Sequence, residues 1–171
     1  MTHEQPLLYE SPDSTRRWFH LDSEFRDELN SLLLRSRPAA LALLDRSGSI
    51  LDLADPHRCH LLAAWLSAVP TARLRLATFV ESDLLENAAS FHRLRSLKQT
   101  QIEWRIIPFE RHSQIQQAFA LCAEGLVKKP VREAFHGFFD SDPVETQCQL
   151  AYFEQIWQIC ELATPIRPLG L

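Results

Sequence analysis

The sequence predicts a mixed α/β domain: one mixed β-sheet with helices on both faces. Three observations carry this. Segments with a 3.6-residue apolar stripe alternate with short apolar runs from residue 22 onward. Between residues 39 and 108 the strand-like runs are separated by helices, which implies parallel neighbours. After residue 102 the runs follow one another directly, which implies antiparallel ones. The length, 171 residues with 46% hydrophobic, suits a single domain with a real core.

Residues 1–18 are polar, contain Pro6 and Pro12 and lack periodicity; they read as a flexible N-terminal arm. Residues 19–171 then form the domain. Asp22 or Ser23 can cap a first helix, with Phe25, Leu29, Leu32 and Leu33 on one stripe and Pro38 as its stop. Ala39–Asp45 is strand-like, Ser47-Gly48 is a turn, and 50–53 suits a short strand or a loop. Asp55-Pro56 starts a second helix that ends before Pro70. Arg73–Val80 is a strand, Ser82 opens a helix running through Leu97, and Ile102–Pro108 is the next strand. Gln117–Ala123 is a fourth strand, and 131–139 contains a fifth. The last helix starts at Asp142-Pro143 and turns Leu150, Phe153, Trp157 and Cys160 inward. The order is α-β-α-β-α-β-β-β-α, with strands 73–80 and 102–108 as parallel neighbours.

Composition sets several chemistries aside. Four scattered glycines cannot build the clustered loops that cradle dinucleotides or nucleoside triphosphates. Cys59, Cys122, Cys148 and Cys160 show no CxxC spacing and read as free, buried thiols. The first residues lack a signal peptide's apolar core, and no run approaches a membrane span, so no membrane role and a cytoplasmic location are expected. The net charge of -4 argues against nucleic acid as a partner, although Arg outnumbers Lys by 15 to 3. Asp52, Asp55, His57, Cys59 and His60 cluster but lack a second group to complete a metal site, and read as a polar helix start. Lys128, Lys129 and Arg132 read as a solvated loop. No metal or cofactor is expected.

Two local patterns go further. QAFALCAEG runs from Gln117 to Gly125, and FHGFFDSDP is followed by LAYFEQIW. With the order of elements, they resemble one half of a phospholipase D-like domain over residues 22–161, of the degenerate kind found in bacteria. That family's HxKxxxxD motif lies on a strand in this part of the fold. Here Gln117 stands for the His, Phe119 for the Lys and Glu124 for the Asp, while Gly125 keeps the turn. The family's His attacks phosphorus and its Lys stabilises the phosphoryl oxygens. Glutamine is no nucleophile and phenylalanine carries no charge. The resemblance therefore implies a non-catalytic binding or assembly module, a pseudoenzyme. Since the family brings two halves face to face, it also implies a homodimer, with an unidentified protein or a small anion as ligand. The alternative is a hydrolase or phosphotransferase using His112, His136 and Asp140 at the remnant cleft.

Overall fold

The computed structural model describes residues 15–36, 38–48, 51–79, 88–130 and 137–163. Its strands are β1 (Arg16–Phe19), β2 (Ala40–Leu44), β3 (Arg73–Thr78), β4 (Ile102–Ile106), β5 (Gln117–Cys122), β6 (Gly125–Pro130), β7 (Gly137–Asp140) and β8 (Glu161–Leu162). Its α-helices are α1 (Asp22–Ser31), α2 (Pro56–Ala68), α3 (Ala89–Leu97) and α4 (Pro143–Ile159). A π-helical turn, Leu32–Ser36, extends α1, and a 3-10 turn, Phe109–Gln114, precedes β5.

One eight-stranded sheet results among the described residues, in the order β1-β7-β6-β5-β2-β3-β4-β8. β2 and β3 are parallel, as are β3 and β4, and every other pairing is antiparallel. The expected parallel contact between strands 73–78 and 102–106 is present, with Leu76 opposite Trp104.

The period-2 alternation of the strands divides two cores. Leu41, Leu43, Leu74, Leu76 and Trp104 pack with α1, α2 and α3 on one face. Ala42, Leu44, Ala77, Phe119, Leu121 and Leu126 pack under Phe153, Ile156 and Trp157 of α4 on the other. Helices thus cover both faces, in agreement with the predicted fold class. Arg75 and Arg105 fasten α4: Arg75 bridges to Glu154 at 2.7 Å over the Phe153 and Trp157 rings, and Arg105 donates to the Trp157 carbonyl at 3.0 Å.

The caps at Asp55 and Asp142 occur as expected, each accepting from a backbone N–H two residues on, at 3.0 and 2.9 Å. α1 begins differently: the Glu24 carboxylate reaches back to the His20 and Leu21 N–H groups, so neither Asp22 nor Ser23 supplies the cap. Three strands depart from the expected order. β1 overlaps the end of the segment read as an arm, residues 16–18; Arg16 and Arg17 are held in it by Asp140 and Glu28. β6 forms where a solvated Lys128-Lys129 loop was expected, because Lys128 and Lys129 point to opposite faces and each finds a partner, Gln149 and Asp22. β8 is a two-residue edge on β4. The expected helix start at Ser82 and residues 131–136 of the stretch 131–139 expected to hold a strand lie outside the described residues; 137–139 fall in β7.

Candidate remnant cleft at the start of β5

β5 runs antiparallel to β2 with Phe119 opposite Leu44, so Gln117 lies just beyond the carboxyl end of β2. This is the edge of the parallel strands where open α/β sheets place ligands. Gln117 has the parity of Phe119 and Leu121 and therefore belongs to the α4 face. There it lines a cavity of about 320 Å³ with Gln114, Gln116, Lys128, Gln149 and Tyr152.

The lining is amide-rich, with one cation. Lys128 donates to the Gln149 side-chain oxygen at 2.9 Å and its ammonium lies 6.0 Å from the centre of the Phe138 ring. Burial pushes its pKa below the usual lysine value; Glu145 pulls it back up and Arg16 adds to the depression. Burial also raises the Tyr152 phenol. Arg46, just past β2, lies over the Phe79 ring at 5.0 Å, and Arg111 donates to the Gln114 side chain at 3.2 Å. Among the described residues, Lys128, Arg46 and Arg111 have no carboxylate in ion-pair contact, whereas Arg16, Arg17, Arg26, Arg75, Arg105 and Lys129 each have one.

The six residues singled out from the sequence separate. Gln117 is half-buried in the cleft wall. Phe119 is fully buried, edge-on to Phe153 at 6.1 Å. Glu124 is exposed in the β5–β6 turn, at the other end of the strand. His112 lies near the cleft in the 3-10 turn, stacked on Phe79 at 3.9 Å, with Nε2 2.9 Å from the Ile107 carbonyl. Asp140 is buried on β7, accepting from Thr15 Oγ1, Arg16 Nε and the Asp142 N–H, each at 2.9 Å. Burial raises its pKa, but the Asp142, Arg16 and Thr15 hydrogen bonds outweigh that and hold the carboxyl below its usual value. His136 and Arg132 lie outside the described residues.

Lys128, Gln149 and Tyr152 were not singled out as a group. They come from β6 and α4, and only the β5–β6 hairpin packed under α4 joins them to Gln117.

The residues 52–60 do not converge. Asp55 caps α2, Asp52 faces Arg26, the buried Cys59 thiol donates to the Leu53 carbonyl, and His57 and His60 are exposed. Among the described residues no three His, Cys, Asp or Glu side chains gather around a point. Cys148 is exposed and Cys160 half-buried, against the expectation of four buried thiols. A larger cavity, about 540 Å³, lies between α3, β4 and β8, where Arg95 stacks on Trp104. It is on the other core face, away from β5. No described helix is long and apolar enough to cross a membrane.

No protein-family model matches the sequence, and no curated protein matches it. Solved structures do. TrmBL2, described as an archaeal chromatin protein with a novel mode of DNA binding, superposes with a TM-score of 0.66 at 10% identity over 92% of this chain. This chain spans 57% of the TrmBL2 chain. NucT from Helicobacter pylori superposes with a TM-score of 0.62 at 12% identity, over 86% of this chain and 98% of NucT.

These neighbours correct one expectation. A net charge of -4 argues against nucleic acid as a partner, yet TrmBL2, which superposes on this chain, is described as binding DNA. Net charge sums the whole surface, whereas binding responds to the local field. Among the described residues, Glu28, Glu154 and Glu103 pair with arginines, and Asp55 and Asp142 cap helices. At such low identity the likeness concerns the fold, and the chain has a phospholipase D-like α/β fold.

Proposed function

We propose that the chain is a non-catalytic phospholipase D-like domain that works as a binding module. Its ligand carries phosphate, and nucleic acid is the class we favour. The observation that carries this reading is the content of the cleft. A neutral Gln117 stands where the resemblance expects the nucleophile, beside Lys128, whose ammonium is bonded to a neutral amide.

An enzyme of this family needs an imidazole nitrogen aimed at phosphorus. A binding site needs only donors. Gln114, Gln116, Gln117 and Lys128 supply them, and Arg46 and Arg111, which have no carboxylate in ion-pair contact among the described residues, raise the local potential. The DNA binding of TrmBL2 supports the ligand class. The hydrolase alternative has less support. The His112 ring is held on Phe79 and the Ile107 carbonyl, and Asp140 already accepts three hydrogen bonds.

The test is fluorescence anisotropy of a labelled 20-nucleotide strand, with denaturing electrophoresis of the same samples. Salt-sensitive binding of an uncut strand, weakened by Lys128→Ala, is expected. Absence of binding at low salt would refute the reading.

A further inference from the structure

Phe109 is 82% exposed, among the most exposed large apolar side chains of the described residues. A single exposed apolar residue is ordinary. What sets this one apart is its support. Its ring lies edge-on to His112 at 5.3 Å. His112 is stacked on Phe79 at 3.9 Å and fixed by its Nε2 contact with the Ile107 carbonyl. Phe79 is itself buried and carries Arg46 against its ring. A solvent-facing aromatic therefore stands on a rigid aromatic column that ends in a cation.

The same 3-10 turn continues into Arg111 and Gln114, and Gln114 is already part of the cleft wall. From Phe109 to Lys128 the surface thus offers an aromatic ring, a cation, amides and a second cation. Binding sites for unpaired strands combine these elements: a π-face for each base and positive charge for the backbone. In a duplex the bases are stacked on one another, and their faces are unavailable to such a ring.

We infer that Phe109, supported by His112, is a base-stacking subsite beside the Lys128 cleft, and that the ligand is single-stranded nucleic acid. The inference rests on the nucleic-acid reading above and adds the strandedness and the residue that selects it. The stacked base and the phosphate bound at Lys128 belong to one strand.

The experiment measures binding of the full chain to three labelled 20-mers: an ordinary single strand, the same backbone with abasic sites, and a duplex. The ordinary strand is expected to bind most tightly. Phe109→Ala should weaken it on the order of tenfold, leave the abasic strand unchanged and reduce the preference over duplex. Phe109→Trp should retain binding. Lys128→Ala should weaken the ordinary and abasic strands alike. The exposure of Phe109 makes its substitution safe for folding, and circular dichroism of each variant checks this. Equal loss on both strands, no loss in Phe109→Ala, or a wild type that prefers duplex would each overturn the stacking subsite. A wild type that binds none of the three, or a Lys128→Ala variant that binds like wild type, would instead overturn the cleft reading itself.

Discussion

Phe119→Ala tests the clearest departure from the resembled motif. Position 119 is where the family carries its lysine, and here the side chain is fully buried under α4. Burying a phenylalanine contributes about 1.5–3 kcal/mol from transfer alone. The edge-on contact with Phe153, 6.1 Å between ring centres, adds about 0.5–1.5 kcal/mol. Tyr152 and Phe153 sit on a helix also fastened by Arg75 and Arg105, so the hole cannot close freely. The expected loss is about 4 kcal/mol, within the range for Phe→Ala in a core. For a domain of this size each kcal/mol lowers Tm by about 2–4 °C, so Tm should fall by roughly 8–16 °C. Urea unfolding followed by circular dichroism gives the free energy, and calorimetry gives Tm. A loss below about 1 kcal/mol would refute the packing argument, because it would mean that residue 119 faces an open cleft. Phe119→Lys should be worse than Ala, since it places an ammonium in the apolar core against the Phe153 and Tyr152 rings, and it should not create phosphodiesterase activity.

Other expectations follow from named contacts. Asp140→Asn should lower stability at neutral pH by about 2 kcal/mol, through the weakened Arg16 and Thr15 bonds. Because the folded carboxyl has a depressed pKa, its contribution is present above the unfolded value and lost as pH falls through the folded one. The gap between wild type and Asn should therefore narrow below about pH 4 in denaturant titrations at several pH values. Gly125→Ala should cost about 2 kcal/mol in the same assay: φ is +157°, and a Cβ would lie 2.7 Å from the Phe139 ring and 2.8 Å from the Asp140 carbonyl oxygen. If Lys128, Arg46 and Arg111 all meet phosphates, log K against log salt for a single strand should have a slope of about -2, and Arg111→Ala should make it shallower by about 0.7. An unchanged slope in that variant would remove Arg111 from the interface.

How much of this was legible depends on where each residue finds its partner. β2 and β5 are buried on both faces along nearly their whole length, and their apolar runs show in the sequence, while β3 shows by its alternation of Arg and Leu. The helix starts at Asp55 and Asp142 are local chemistry and were equally plain. β1 was not, because RRWF is four residues long with two arginines, and its support, Asp140, lies 124 residues from Arg16. β6 was missed for a related reason. Two adjacent lysines look like a loop until Gln149 and Asp22, 21 and 107 residues away, are seen to receive them. In the cleft, the motif comparison singled out Gln117, while Lys128, Gln149 and Tyr152 needed the fold to bring them there. Phe119 aligns with a catalytic position of the resembled motif, yet it is a core residue. Its alternation with Leu121, matched by Phe153 and Trp157 on one stripe of the last helix, was the available sign of a core residue.

The central claim is a site that binds without cutting. A labelled single strand should be incubated with excess protein while anisotropy is followed for hours, and the strand then resolved on a denaturing gel. The account predicts raised anisotropy that falls with added salt, full-length strand at every time point, and reduced binding in Lys128→Ala. Shortened products whose formation stops in a His112→Ala or Gln117→Ala variant would contradict it and make the cleft an active site.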